Sequence, residues 1–200
     1  MISEKSMVST INLPQTGQTT CYDSDGNKIA CAGTGQDGDI KAGVAWPNPR
    51  FTDNGDQTIT DKLTGLMWTK NANLAGEKTW QQALDYVTSM NTGSGTYGYT
   101  DWRLPNRKEL RSPVDYSRYD AALPAGNPFT NVKSMNCYLS STTRSCNTCD
   151  AWCVWESGGV TNSFKSTSYD VRPVRSGHVG NLVNSVISHS GNEAHLTSAR

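Results

Sequence analysis

Two helix-start signals stand close together in the middle of the chain, between segments with strand-like patterns. Thr79 precedes Gln82 by three residues and Asn106 precedes Glu109 by the same spacing, as in capping boxes. After the first signal, apolar residues recur at helical spacing as far as Met90, which predicts a helix packed on a core. Helices in mid-chain without alternating strand–helix units predict an α+β fold with antiparallel sheets and two helices.

Strand and turn patterns fill the segments on either side of these helices. Residues 50–70 have the pattern of a β-meander with turns at Asn54-Gly55 and Thr64-Gly65. Pro113 should end the second helix early, because proline lacks a backbone donor and clashes with the preceding turn. Further strands are predicted at residues 137–142, 151–156, 159–164 and 169–174.

Composition and length define the organisation of the chain and exclude several partners. Two hundred residues suffice for one domain with extensions. Eighteen basic and eighteen acidic residues cancel, so no global field favours nucleic acid or an anionic membrane. No apolar run reaches the roughly 18–20 residues of a membrane span, and no secretory signal is visible at the N-terminus. We expect an N-terminal arm (1–39), a ligand-binding domain (40–176) and a C-terminal tail (177–200).

The N-terminal arm combines two cysteines with two Asp-Gly turns. Cys21 and Cys31 flank the first turn and fit a hairpin closed by a disulfide. An EF-hand loop beginning at the first aspartate would need glutamate where Thr34 stands. Asx turns are therefore preferred, and no cofactor is predicted. Calcium remains an alternative for which the weak candidate ligands are Asp23, Asp25, Asp37 and Asp39.

Residues 136–175 contain a regular strand skeleton, and the side chains between its fixed points share no common chemistry. That arrangement is typical of a presentation surface, whereas an active site needs a few residue types in set roles. We therefore expect a non-catalytic protein that recognises a protein or carbohydrate ligand at a cell surface. The ligand contacts predicted within the variable surface at 136–170 are Cys137, Tyr138, Arg144, Cys146, Asn147, Cys149, Asp150, Cys153, Trp155, Thr161, Asn162, Ser163, Phe164, Tyr169 and Asp170.

The four cysteines of this segment could bind zinc, form disulfides or remain free thiols. Cys146 and Cys149 form one C-x-x-C pair, but a structural zinc site normally uses two such pairs. Disulfides and free thiols are therefore favoured over zinc for these two residues and for Cys137 and Cys153. An enzyme is not expected, because a nucleophilic cysteine needs a neighbouring base or cation. The three histidines all lie in the tail, at His178, His189 and His195.

Two groups of charged residues elsewhere invite functional interpretation. Asp101 and Arg103 flank a tryptophan, and we interpret them as an ion pair or turn beside the core rather than as a catalytic pair. Arg172 and Arg175 flank Pro173 and could hold a sulfate or carboxylate by bidentate hydrogen bonds. An in-chain carboxylate partner is the preferred interpretation for these two arginines.

Four stretches together resemble a known family. They are FTDNGDQTITDKLTGLMW, TWQQALDYV, DWRLPNRKEL with VDYSRYDAALPAGNPF, and YLSSTT followed by AWCVW, GGV and VRPVR. Over roughly residues 40–175 the chain is similar to the C-terminal domain of a bacterial collagen-like adhesin. The resemblance implies a C-type-lectin-like fold, related to the formylglycine-generating enzyme and to variable proteins of diversity-generating retroelements. It also implies surface binding of ligands such as sugars or sulfated polysaccharides, and homotrimers in some members.

Departures from the family pattern concentrate in the variable surface. Cys137-Tyr138-Leu139 replaces the usual Tyr-Tyr-Trp, and Arg144, the cysteines and Asp150 replace residues that are usually Tyr or Asn. Except for Leu139, these residues are among those that random replacement of adenines in Asn and Tyr codons can produce. The resemblance thus implies a retroelement-diversified variable protein of a phage or bacterial surface. The alternatives are a surface adhesin or lectin domain and, remotely, an enzyme like the formylglycine-generating one.

The tail carries a short apolar strip outside the expected core. Strips of this kind commonly mark self-association or docking onto a larger body. We expect an oligomer or attachment to a virion or cell-surface assembly, with a homotrimer suggested by the resemblance alone. The residues of the strip are Leu182, Val183, Val186 and Ile187.

Overall fold

The computed structural model describes residues 13–134 and 136–177, which contain three helices and eleven strands in three sheets. The helices are α1 (Asp37–Ile40), α2 (Trp80–Ser89) and α3 (Arg107–Arg111). The strands are β1 (Cys21–Tyr22), β2 (Lys28–Ile29), β3 (Phe51–Asp53), β4 (Thr58–Asp61), β5 (Leu66–Thr69), β6 (Glu77–Lys78), β7 (Cys137–Thr143), β8 (Asp150–Trp155), β9 (Val160–Phe164), β10 (Tyr169–Asp170) and β11 (Val174–Ser176). The α+β class is confirmed, with one short helix more than the sequence predicted.

A disulfide-closed hairpin forms the N-terminal unit, as predicted. β1 pairs antiparallel with β2, and Cys21 is bonded to Cys31 across a Cα–Cα distance of 5.1 Å. That distance lies within the usual range for disulfides.

Three aspartates of this unit accept hydrogen bonds, two of them from residues of the same segment. The backbone N–H groups of Asp25 and Asn27 donate to Asp23 Oδ1 at 3.0 and 2.8 Å, which is an Asx turn. Asp37 accepts a threonine hydroxyl, and Asp39 accepts a glycine N–H at 3.1 Å. The preferred Asx turn is therefore present at Asp23, whereas Asp37 connects the hairpin unit to the preceding residues of the arm.

The N-terminal arm runs along the domain from residue 13 onwards. The backbone N–H of Tyr116 donates to the carbonyl of Thr16 at 3.0 Å, and the Trp46 indole donates to Gln15 O at 2.8 Å. Residues 1–12 and the tail beyond residue 177, with its apolar strip and histidines, lie outside the described residues.

The first large sheet contains the predicted meander. Its order is β11–β5–β4–β3, and all three pairings are antiparallel. Val174 lies opposite Trp68, which lies opposite Ile59 on the next strand. All three side chains are fully buried, so the last strand returns to the centre of the core.

The predicted strand at 169–174 is divided between two sheets. β10 joins the second large sheet, of order β6–β10–β7–β8–β9, whereas β11 joins the first. Pro173 lies between them and has no N–H to continue a ladder. β10 also makes the only parallel pairing among the described strands, with Asp170 opposite Tyr138 on β7.

Both capping boxes are present, and both helices pack as predicted. Thr79 accepts the Gln82 N–H at 3.4 Å, and the Gln82 side chain accepts the Thr79 N–H at 3.0 Å. Ala83 and Val87 of α2 are buried with Leu139 of β7 in one apolar cluster. α3 has the corresponding box and spans five residues, which agrees with the expected early end before the proline.

Candidate ligand-binding surface

Antiparallel pairing places alternate side chains of β8 on opposite faces of the second sheet. On one face, Val154 lies opposite both Tyr138 of β7 and Val160 of β9. Tyr138 and Val154 are nearly fully buried in the main apolar core, and Val160 packs against them. This part of the face therefore belongs to the interior.

The same face continues beyond the core towards the loop between β7 and β8. Trp152 lies opposite Asn162, and Asp150 lies opposite Phe164. Trp152 and Asn162 are half-buried, whereas Phe164 keeps 61% of its surface exposed. Two arginines contact this row, and we term the whole group the β8–β9 surface. Its members are Arg107, Arg144, Asp150, Trp152, Asn162 and Phe164.

Arg107 stacks on Trp152. Its guanidinium carbon lies 4.6 Å from the centroid of the Trp152 ring, a cation–π contact. The first turn of α3 is fixed over the sheet, because the Arg107 N–H donates to Thr142 Oγ1 at 3.1 Å. Among the described residues, no carboxylate forms an ion pair with Arg107. This cation on an aromatic ring is therefore available to an anionic group of a ligand.

Asp150 holds two neighbouring side chains of the surface in place. Its Oδ2 accepts hydrogen bonds from Arg144 Nη1 at 3.2 Å and from Asn162 Nδ2 at 2.9 Å. Asp150 is only 3% exposed, and Oδ1 has no hydrogen-bond partner within the described part of the chain. Fixing Arg144 and Asn162 in advance lowers the entropy cost of binding a ligand.

Five predicted contact residues lie in the interior, which corrects the sequence prediction for them. Burial removes these side chains from direct contact with a ligand, and they support the exposed positions instead. Asp170, for example, accepts a hydrogen bond from Asn136 Nδ2 at 2.6 Å. The five residues, each no more than 3% exposed, are Cys137, Tyr138, Asp150, Cys153 and Asp170.

The four cysteines of the variable segment are in two different states. Cys137 and Cys153 form a buried disulfide with a Cα–Cα distance of 5.8 Å. Cys146 and Cys149 are free and exposed in the loop between β7 and β8. Within residues 13–134 and 136–177, no three His, Cys, Asp or Glu side chains are grouped so that they could hold a metal ion.

Some predicted contacts lie on the opposite face of the sheet. Thr161 and Ser163 alternate with Asn162 along β9 and therefore point away from the β8–β9 surface. Ser163 Oγ donates to Tyr169 Oη at 3.0 Å, and Tyr169 packs against the α2 cluster. These three half-buried residues do not join Asn162 and Phe164 in one patch.

Trp155 lies at a separate cleft near the end of β8. The cleft has a volume of about 310 Å³ and is lined by Tyr119, Asp120, Trp155 and Ser157. Tyr119 is 86% exposed there. The predicted contact residues thus fall on at least two distinct surfaces.

Sequence reasoning missed Arg107 and Trp152. Side chains two residues apart in a strand lie on the same face. Because Asp150 was a predicted contact, this rule also indicates Trp152 as one. Trp152 lies among the regular positions of the predicted strand at 151–156, and those positions carry no contact residue in the sequence prediction. No local pattern links Arg107, which lies on a helix far away in the chain, to this strand.

Asp101 and Arg103 each form an ion pair beside the buried Trp102, but with other partners and not with each other. Asp101 Oδ1 accepts from Arg175 Nε at 2.5 Å. Arg103 donates two hydrogen bonds to Glu109, at 2.6 and 2.7 Å. The Glu109 side chain therefore supports both the capping box and this ion pair.

Arg172 is paired with a buried carboxylate, as preferred from the sequence. Its Nη1 lies 3.7 Å from Glu156 Oε1, and its guanidinium carbon lies 4.1 Å from the Phe129 ring centroid. Burial raises the pKa of Glu156, and the charge of Arg172 opposes that shift. Burial also raises the pKa of Tyr138 to about 12. Both shifts belong to core residues outside the β8–β9 surface.

Taken together, the fold and the surface define an α+β domain with an aromatic and cationic surface on one of its two large sheets. The chain belongs to the Lcl C-terminal domain family, whose model matches residues 57–175. The match includes every member of the β8–β9 surface. None of the curated proteins compared with the chain matches it. In the described residues, no helix is long and apolar enough to span a membrane.

Proposed function

We propose that this chain is a non-catalytic ligand-recognition domain that acts at a cell surface or outside the cell, as an adhesin does. The observation that carries the proposal is the stacked pair of Arg107 and Trp152 beside the fixed side chains of Arg144 and Asn162. Arginine and tryptophan are among the residues most enriched at binding hot spots. A C-type-lectin-like scaffold is part of the proposal, supported by the mid-chain helices and the returning last strand.

The chemistry of the β8–β9 surface favours an acidic carbohydrate as the ligand. The half-buried Trp152 ring adds an apolar contact beside Arg107, and Asn162 offers amide hydrogen-bonding groups. Arg107 can donate two parallel hydrogen bonds to a sulfate or carboxylate. This combination supports the adhesin alternative more directly than it supports a protein ligand.

We expect Arg107→Ala to weaken binding of the purified full chain to immobilised heparin about tenfold or more. Loss of a hydrogen bond to a charged group is worth roughly 1.5–3 kcal/mol, and tenfold corresponds to about 1.4 kcal/mol. Wild-type binding should weaken as salt is raised, because salt screens exposed charges. Biolayer interferometry over a salt series measures both effects.

Lys108→Ala is the matched control, since it removes an exposed cation from the next position of the same helix. The control should bind heparin within about twofold of wild type, and both variants should keep the wild-type melting temperature. Equal losses in the two variants would mean that net charge, and not the β8–β9 surface, governs binding. A wild-type chain that binds neither heparin nor chondroitin sulfate would refute the acidic carbohydrate.

Retroelement diversification is a second candidate, favoured by the exposed positions. The loop and β9 expose side chains that all belong to the set produced by adenine replacement. The buried disulfide between Cys137 and Cys153 narrows the candidate positions, because a randomised pair would rarely recreate it. Asp150 and Asp170 are also left out, because both are buried. The exposed or half-buried positions that remain are Arg144, Cys146, Asn147, Cys149, Thr161, Asn162, Ser163 and Phe164.

The surroundings of the gene distinguish the two candidates. Diversification requires a near-copy of this segment and a reverse transcriptase gene nearby, with differences confined to codons of those positions. Their absence together with heparin binding would favour the adhesin. A homotrimer also belongs to the proposal, and light scattering on the full chain would measure it.

A further inference from the structure

The two free thiols differ from the remaining four cysteines in both pairing and exposure. All six cysteines lie in the described part of the chain, and four of them form the two disulfides. Cys146 and Cys149 are both exposed and are three residues apart. A chain with two disulfides fits an oxidising compartment, where an exposed pair of thiols is chemically reactive.

The loop that carries these thiols is short and anchored at its ends. The Arg144 N–H donates to Asp150 O at 3.0 Å, and the Lys165 N–H of the neighbouring segment donates to Cys149 O at 2.9 Å. Two successive turns lie between these anchors, closed by Asn147 N–H to Arg144 O at 3.3 Å and Asp150 N–H to Asn147 O at 3.0 Å.

The spacing within this loop suits an internal disulfide. Cys146 belongs to the first of these turns (144–147) and Cys149 to the second (147–150), so only two residues separate them in the chain. Disulfides span Cα–Cα distances of about 4.4–6.8 Å. Closing the pair requires the two turns to rearrange until the Cα atoms of Cys146 and Cys149 lie within that range.

We propose that Cys146 and Cys149 are a reversible redox modification site that exchanges with low-molecular-weight disulfides. The thiolate of one cysteine attacks the small disulfide, which forms a mixed disulfide and releases one small thiol. The second thiolate then attacks the protein sulfur of the mixed disulfide and releases the second small thiol. Two protein thiols are oxidised to one disulfide, the small disulfide is reduced to two thiols, and the two protons end on the released thiols.

Because the second thiol is close, its attack on the mixed disulfide is faster than attack by a thiol from solution. The neighbouring thiol is tethered through two intervening residues, so its effective concentration exceeds that of any thiol in solution. The disulfide between Cys137 and Cys153 does not compete, because both residues are 0% exposed. The loop leads directly into Asp150, which accepts a hydrogen bond from Arg144. Closing the disulfide in this loop therefore also affects the position of Arg144. Only this last consequence rests on the proposed ligand-binding function.

The test is thiol labelling of the full chain before and after incubation with oxidised glutathione. Samples are quenched in acid, labelled with N-ethylmaleimide and analysed by intact mass and peptide mapping. Before oxidation we expect two labels, both on the peptide containing residues 146–149. After oxidation we expect both labels to be lost without any glutathione adduct, and mild reduction should restore them.

Single variants separate internal closure from simple thiol modification. Cys146→Ser and Cys149→Ser should each retain one glutathione adduct, because the second thiol that would displace glutathione is missing. Their melting temperatures should match wild type, since both positions are exposed. Persistence of both labels in oxidised wild type, two glutathione adducts, or disulfide-linked dimers would each overturn the proposal. Because the readout is thiol content, it does not depend on whether the chain binds a carbohydrate.

Discussion

Replacing Arg172 with methionine is expected to destabilise the protein by about 3–5 kcal/mol, the usual cost of breaking a buried ion pair. Arg172 and Glu156 are 3% and 5% exposed, and the variant leaves the carboxylate of Glu156 without a cation. The melting temperature should fall by roughly 6–20 °C for a chain of this size. Urea unfolding followed by circular dichroism measures the loss.

The loss should depend on pH in a defined direction. Burial raises the pKa of Glu156 above its ordinary value of 4.5, and without Arg172 nothing opposes that shift. The folded state then holds the proton more tightly than the unfolded state does. Stability is therefore highest below the unfolded pKa and is lost as pH rises through the folded pKa. The Arg172→Met variant should be closest to wild type in acid and weakest at neutral pH.

The double variant Glu156→Gln with Arg172→Met is the control for this prediction. It removes both charges, so it should recover much of the stability that the single variant loses at neutral pH. If Arg172→Met loses the same stability at acidic and neutral pH, the lost packing against Phe129, and not the broken ion pair, accounts for the effect.

Replacing Asp61 with asparagine is expected to cost a similar amount, about 3–5 kcal/mol, because it leaves a buried guanidinium unpaired. Asp61 is fully buried and accepts hydrogen bonds from Arg50 Nε at 3.0 Å and Arg50 Nη2 at 2.9 Å. Its carboxylate also accepts the Leu63 N–H and the Thr64 hydroxyl. Arg50 Nη2 further donates to Ser112 O at 2.6 Å, which connects the meander to the end of α3.

Asp53→Asn is the matched control for Asp61→Asn, since it breaks an ion pair of the same sheet at the surface. Asp53 lies 2.6 Å from Lys70 Nζ, and both side chains are substantially exposed. Exposed pairs contribute little to stability, so the urea midpoint should stay near the wild-type value. Equal midpoints for the two variants would contradict the role of the Arg50–Asp61 pair in holding the sheet to α3.

Local signals in the sequence predicted the local structure of this fold. The capping boxes at Thr79 and Asn106 and the turn at Asn54-Gly55 depend on residues a few positions apart. Their hydrogen bonds form within the same segment, so the sequence contains all the information they need. The burial of the apolar face of α2 was predictable from helical periodicity for the same reason.

Features that depend on strand register and distant contacts could not be predicted in this way. Asp150 and Asp170 looked like exposed contact residues, but each is buried and held by hydrogen bonds from elsewhere. The pairing of Cys137 with Cys153 needs the alignment of β7 with β8, which spacing alone does not define. Arg107 reaches Trp152 only because α3 packs across that pair of strands.

An NMR titration of the indole N–H signals tests the central claim most directly. The chain has six tryptophans, and Trp46 and Trp155 are half-buried at other clefts, so they serve as internal controls. With a heparin oligosaccharide as the ligand, we predict that the Trp152 signal shifts with increasing ligand while the signals of Trp46 and Trp155 stay in place. The Trp152→Phe variant identifies the Trp152 signal. A shift of the Trp155 or Trp46 signal with an unchanged Trp152 signal would contradict the assignment of ligand binding to the β8–β9 surface.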